Sequence, residues 1–479
     1  MARPTNEQLM AMDKDGLIIL FNIVMDELYE LKAKVALQNS EIEQLKAENM
    51  QLKAELEKLK SPPPNSTNSS MPPSRDLNKS RGKGAIEIKK RGARDGHVMM
   101  KREFVDNPDR VIVGSLKTCV CGADVSEVEL ERIVRRQITE LPVIKPVVIE
   151  TRQEVGKCRC CGRQVYGELP EELTGNGMFG PQLEATITYL QHQQHMSYER
   201  TEAAVMELFG VEMSQGGIAC VSERAGQAAQ ERQEAITASI RASEVVGGDE
   251  TGAAKIKRQK QWEWVFVSKS AILHVIRPSR GTGVILEVMG SAKVDVWVSD
   301  CWGPQLKARA VQRQLCIPHQ IRNLQGLIEK APKLRWAREL QALFREAVHW
   351  SKQRAEMNED KFESGVSELE KKLDRLLARP VTNPKAQALL ERYRERRHQL
   401  FVFLHDTRVP HHNNDCERAL RSSVVHRKVT GGFRSKWGAD AYAAIASVVD
   451  TAKLSGTTAF AAIRGLFGKA IQHFATAEP

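Results

Sequence analysis

The 479-residue chain carries 71 Lys and Arg against 60 Asp and Glu, a net charge of +11 and a pI near 9.1, which favours a polyanionic partner, nucleic acid first. Its length points to several domains, and its longest apolar stretches, such as GLIIL, fall far short of a membrane span. MARPTNEQLM lacks a cationic-then-apolar signal pattern, and five of the nine cysteines fall between 119 and 161, so a cytosolic protein using thiols for metal chemistry is expected rather than a disulfide framework.

From Phe21 the apolar residues follow a heptad, with Phe21, Leu28, Val35, Ile42, Asn49 and Leu56 at a and Val24, Leu31, Gln38, Leu45, Leu52 and Leu59 at d. In a parallel pair Glu27, Glu41, Glu48 and Glu55 at g face Lys32, Lys46, Lys53 and Lys60 at e of the partner, so residues 1–60 predict a leucine-zipper homodimer with Asn49 as a register device. SPPPNSTNSSMPPSRD ends the helix and opens a linker over 61–104. Within it, 79–102 holds nine Lys or Arg against Glu87 and Asp95, and Lys89, Lys90, Arg91 and Arg94 are candidate phosphate contacts.

TCVCG at 118–122 is answered by KCRCCG at 157–162, two knuckles whose thiolates suit a closed tetrahedral zinc site. The provisional ligands are Cys119, Cys121, Cys158 and Cys161, in a zinc-ribbon-like module over 105–175, with unliganded cysteines as the alternative. Residues 176–240 read as three helices, with Ser197 and Ser214 as N-caps and Gly210 as a stop. They fit either a helix-turn-helix whose groove-reading segment starts at Gly217 or a helical bundle packed on the core.

Strand-like runs begin at Ser243: SEVVGGD, WEWVFVS and AILHVI, then a helix at TGVILEVMG, a strand at KVDVWVSD, a helix at WGPQLKARAVQRQ and a strand at LCIP. That order suits a mixed sheet of the ribonuclease H type over 241–325 and 405–479, with a helical insertion at 326–404. Asp249 and Asp300 end two of the strands, and Glu417 sits in the first turns of an Asn-led basic helix with Arg418 and Arg421 beside it. Carboxylates so placed can hold two Mg²⁺ or Mn²⁺ ions against a DNA phosphate, for strand cleavage by water and then strand transfer by the freed 3′-hydroxyl. His426, Arg427, Lys428, Arg434 and Lys436, around the Gly-Gly turn of VVHRKVTGGFRSK, complete the candidate DNA surface.

Through DETG, SDCWG, VPHHNNDCERALR and KVTGGFRSKWGA, and through the zipper, the knuckles and MSYERTEAAVMELFG, the chain resembles the insertion sequence 66 family of DDE transposases along nearly its whole length. The resemblance implies that Asp249, Asp300 and Glu417 are the catalytic acids and that the enzyme binds the terminal inverted repeats of its own element and joins them to target DNA. It also implies small accessory proteins from the same element and a nucleoid-associated place in the cytoplasm. Two rivals are a non-catalytic DNA-binding relative and a tyrosine recombinase using Tyr442; the chain has no G-x-x-x-x-G-K-[ST] loop for an ATP-driven motor.

Overall fold

The computed structural model describes residues 9, 10, 12–60, 103–170, 173, 177–253 and 255–468, without the side chains of 53–60. The linker at 61–102, with Lys89, Lys90, Arg91 and Arg94, lies outside the described residues, as do the side chains of Lys53, Glu55, Leu56, Leu59 and Lys60. Two compact units are present, one made of Met1–Lys79 and Gln314–His412, the other of Ser80–Arg313 and Asn413–Pro479.

In the first unit, α1 (Lys14–Lys60) is a single 47-residue helix. Its a and d side chains from Phe21 to Leu52 are open, with Phe21 64% and Leu31 63% exposed, so this part of the apolar stripe is not spent on the chain's own core.

In the second unit, β1 (Val155–Lys157) and β2 (Gln164–Tyr166) form an antiparallel hairpin. Three helices follow, α2 (Pro181–His192), α3 (Tyr198–Phe209) and α4 (Gln215–Arg241). The Ser197 hydroxyl accepts from the Arg200 amide and that of Ser214 from the Gly217 amide, while Gly210 ends α3 at φ 66°, so the expected caps are present. Along α4, Ile218, Val221, Ala225 and Ala229 recur at helical spacing and are fully buried in the main core.

The sheet that follows is built from β3 (Val245–Gly252), β5 (Trp262–Val267), β6 (Ile272–Arg277), β7 (Val294–Ser299) and β8 (Ala310–Leu315), in the spatial order β6-β5-β3-β7-β8; a two-residue strand β4 (Lys255–Ile256) interrupts the β3–β5 connection. β3, β5 and β6 are antiparallel neighbours, whereas β3 and β7 run parallel, with α5 (Thr282–Met289) between β6 and β7. The run expected as a helix, WGPQLKARAVQRQ, instead forms a 3-10 turn at Gln305–Lys307 and then β8. As the sheet's last strand, β8 leaves Val311 and Gln312 exposed, and its polar residues mimic a solvated helix in sequence.

The first unit continues with α6 (Ile317–Lys330), α7 (Arg335–Lys352), α8 (Glu359–Ala378), α9 (Pro384–Glu395) and α10 (Val402–His405), packed around Phe344, Tyr393 and Phe401. The second unit resumes with α11 (Asn414–Thr430), β9 (Gly432–Phe433), α12 (Lys436–Leu454) and α13 (Ala459–Arg464). α12 covers the open edge of β6. Its Thr451 hydroxyl meets both the amide and the carbonyl of Ile272, at 3.0 and 3.1 Å, and Ser447, one turn earlier, meets those of His274 at 2.8 and 3.3 Å. Two hydroxyls thus satisfy backbone groups that an edge strand otherwise leaves open to pairing with another chain.

Candidate active site and its basic surroundings

The parallel register of β3 on β7 pairs Val245 with Val296, Val246 with Trp297 and Gly247 with Val298. Continued two residues further, it sets Asp249 beside Asp300; Asp300 follows the last residue of β7, but Asp249 lies within β3, which runs on to Gly252, rather than ending it as expected. Side chains alternate across a sheet, so Gly247 and Asp249 face one side and Gly248 and Glu250 the other. On the first side lies the start of α11. A Cβ on Gly247 would stand 2.9 Å from the Cys416 sulfur and 3.1 Å from the Asn413 side-chain oxygen, so only a glycine lets the helix come this close. The Asn413 amide then donates to the Gly248 carbonyl at 2.9 Å, tying the helix start to the strand one residue before Asp249. α11 buries Cys416, Ala419, Leu420, Ser423 and His426, while Glu417 remains half-buried on the side of Asp249.

The charges of the other acids act on Asp249. Burial pushes the Asp249 carboxyl well above the usual carboxylate range, and the charges of Asp300, Glu250 and Glu417 push the same way, opposed by the Glu250 amide that donates to it at 2.8 Å. Asp300 is oriented by the Trp302 amide, 2.8 Å from its Oδ1. Carboxylates are the hard oxygen donors that a divalent cation prefers, so Asp249, Asp300 and Glu417 are residues that could hold one. Among the described residues no three His, Cys, Asp or Glu already stand in a metal-holding arrangement.

Glu250 belongs to the opposite face. Its carboxylate accepts from Arg280 at 2.8 and 2.9 Å and from the Gln305 amide at 2.7 Å, and Gln305 in turn accepts from the Trp297 indole at 3.2 Å. The Arg280 guanidinium lies over Trp262 at 4.7 Å and over Trp302 at 4.1 Å. Burial raises the Glu250 carboxyl despite these donors. Sequence reasoning missed this support, although Glu250 adjoins Asp249 in DETG. The sequence marks the asparagines at 413 and 414 as a helix start but not the bond from Asn413 to β3, and the Gly-Gly pair before the acid is the available signal for the close approach of α11.

Each cysteine knuckle closes a turn on its glycine, three residues after Cys119 in the first and four after Cys158 in the second. Gly122 donates to the Cys119 carbonyl at 2.8 Å and Gly162 to that of Cys158 at 2.9 Å, and both glycines have positive φ. Hydrogen bonds from Cys121 lower the Cys119 thiol, and those from Cys161 and Cys160 lower the Cys158 thiol; the side-chain partner is Cys121 in the first knuckle and Cys161 in the second. The two expected thiols of each half are therefore together, but the four are not gathered into one cluster.

Of the expected DNA-facing residues, Arg418, Arg421, Lys428, Arg434 and Lys436 are exposed, with Arg418 paired to Asp415 at 3.4 Å and Lys436 to Asp440 at 2.8 Å. Arg427 is half-buried and donates to the Gly252 carbonyl. His426 is buried instead, stacked on Phe433 at 4.8 Å and close to Tyr442 at 4.4 Å, because it continues the buried stripe of α11. Burial, then His195 and His192, bring its pKa down to about 3. Tyr442 is 4% exposed, and burial pushes its phenol far up, which argues against a tyrosine nucleophile.

Fold and site together define a mixed α/β protein with acidic residues carried side by side on two adjacent parallel strands. Residues 176–441 match the family described as "Transposase IS66 family", and the chain belongs to that family. The chain is also 26% identical over 388 residues to "Uncharacterized protein y4hP" of Sinorhizobium fredii (strain NBRC 101917 / NGR234), covering 72% of this chain and 69% of that protein. Among the described residues no helix is long and apolar enough to cross a membrane.

Proposed function

We propose that the protein is a DDE-type DNA transposase that binds the terminal inverted repeats of an insertion sequence, cleaves the strand at each end and joins the 3′-hydroxyl to target DNA. The single observation that carries this reading is the register that sets Asp249 beside Asp300 while α11, closed onto Gly247, brings Glu417 to the same side. The strand order, third-second-first-fourth-fifth when β4 is left aside, supports a ribonuclease H-like core.

In this reading Asp249, Asp300 and Glu417 hold two Mg²⁺ or Mn²⁺ ions. Bound there, the pair would supply Lewis acidity for an in-line displacement at phosphorus. The chain's own groups fix the geometry. The Trp302 amide orients Asp300, Asn413 locks the start of α11, and the Glu250–Arg280–Gln305 network holds β3 from behind. No covalent protein nucleophile is needed. Arg421, Lys428 and Arg434 lie on the exposed side as backbone contacts.

The open stripe of α1 fits a parallel homodimer, with Glu27 and Glu41 facing Lys32 and Lys46 of a second copy. Cys119 with Cys121 and Cys158 with Cys161 are two half-sites that one structural Zn²⁺ would join. Accessory proteins of the element and a nucleoid location complete the proposal.

The test is a set of amide variants, Asp249→Asn, Asp300→Asn and Glu417→Gln, assayed on labelled element-end DNA. Each is expected to lose strand cleavage by at least about three orders of magnitude with end binding retained, since each removes a ligand on which the displacement depends. Cleavage surviving any one change would remove that residue from the triad. End binding without cleavage in the wild type would favour the non-catalytic relative.

A further inference from the structure

We propose that the turn between β4 and β5 is a clamp for the DNA sugar-phosphate backbone, built from Lys255, Lys257, Arg258 and Lys260; it rests on the DNA-transposase reading. Ile256 and Gln259 exchange both backbone hydrogen bonds, at 3.0 and 2.7 Å, so Lys257 and Arg258 are the two central residues of a minimal hairpin loop. Both have positive φ, 43° and 71°. Loops of this kind select Asn-Gly, because a longer side chain is sterically disfavoured in the left-handed region. A Lys-Arg pair at this place is locally unfavourable, and an unfavourable backbone retained beside a functional site points to a use for the side chains.

The charges point the same way. AAKIKRQKQ, 253–261, contains four cations and no acid. All four are exposed, and none has an ion-pair partner among the described residues. Lys260 additionally lies 4.4 Å over the Trp262 ring.

The turn is also anchored. β4 pairs in parallel with β9, Lys255 with Gly432 and Ile256 with Phe433, and a Cβ on Gly432 would stand 2.8 Å from the Lys255 carbonyl oxygen, so the second glycine of KVTGGFRSK permits this contact. Ile256 and Phe433 pack onto Ala253, Ile276 and Tyr442. The segments leaving β3 and α11, the two elements that carry Asp249 and Glu417, are thereby zipped together. This brings the turn's cations near exposed Arg434, two residues beyond Gly432, whereas Lys436 is already paired to Asp440. Unneutralised cations on a fixed base suit a regularly spaced row of phosphates, held independently of base sequence.

The test compares the full-length wild type with Lys255→Gln/Lys257→Asn/Arg258→Gly and with Lys257→Asn alone. Thermal unfolding and the salt dependence of binding to a labelled duplex of arbitrary sequence are measured. The triple variant is expected to unfold no earlier than the wild type, because Asn and Gly suit the turn better. Its log K against log salt slope should be shallower by about 0.9 for each phosphate released, about 2 to 3 in all. The single variant should lose about 0.9 and covers the case in which the triple fails to fold. An unchanged slope in a folded variant, with the wild type binding normally, overturns the clamp and leaves the transposase reading intact. A wild type that binds no DNA overturns both.

Discussion

His274 should make stability fall as the solution becomes alkaline. Its ring is 1% exposed, yet Nδ1 lies 2.9 Å from Glu263 Oε1 and Nε2 lies 3.2 Å from Asp450 Oδ2. Burial opposes the charged ring, but the Asp450 and Glu263 carboxylates outweigh it and raise the pKa from 6.5 to about 9. Because the folded value lies above the unfolded one, the proton stabilises the native state fully below pH 6.5, and that contribution is lost as pH rises through 9. Stability should fall by about 1.4 kcal/mol per pH unit inside this window and by about 3 kcal/mol across it. Denaturant unfolding at intervals from pH 6 to 10, wild type against His274→Gln, reads this directly. The variant should be less stable at pH 7 and should lack the slope. Parallel pH profiles for the two proteins would refute a charged His274. The consequence reaches the site, since the Ser423 hydroxyl donates to Glu263 Oε1 at 2.5 Å and Ser423 lies on the helix that carries Glu417.

Gly247→Ala should cost about 1 to 3 kcal/mol by overpacking Cys416 and Asn413, and should depress strand cleavage by displacing α11; an unaltered melting temperature would show that the helix is not closed onto β3. Asp249→Asn should raise the melting temperature in metal-free buffer. The wild-type Asp249 carboxyl sits above its unfolded value, so its ionisation weakens the fold increasingly as pH rises through the folded value. Added Mg²⁺ should then stabilise the wild type more than the variant, and equal shifts would count against a shared ion. Leu45→Glu with Leu52→Glu should convert a dimer to a monomer in sedimentation, whereas a monomeric wild type would contradict the zipper.

The three acids proposed for the site stand out in the sequence because each ends an apolar run or opens an Asn-led helix, features that local pattern exposes. Their company does not. Glu250 supports the opposite face only once β3 has a neighbour on each side, and His274, Glu263 and Asp450 come from three segments that no periodicity links. β8 resembles a helix in sequence because a strand at the sheet's margin tolerates polar residues on its open side. The basic neighbours of His426 suggest a surface cation, though its spacing from Cys416, Ala419 and Ser423 is that of the buried stripe. The Lys257-Arg258 turn carries no Gly, Asn or Pro and so resembled an ordinary basic stretch.

The most direct test of the central claim is joining of a labelled, pre-cleaved element end to plasmid DNA by the purified full-length protein in Mn²⁺, wild type against Asp300→Asn. The account predicts metal-dependent joined product from the wild type and none from the variant, with both retaining the same affinity for the end. Equal joining by the two would contradict the placement of Asp300, beside Asp249, at the centre of the reaction.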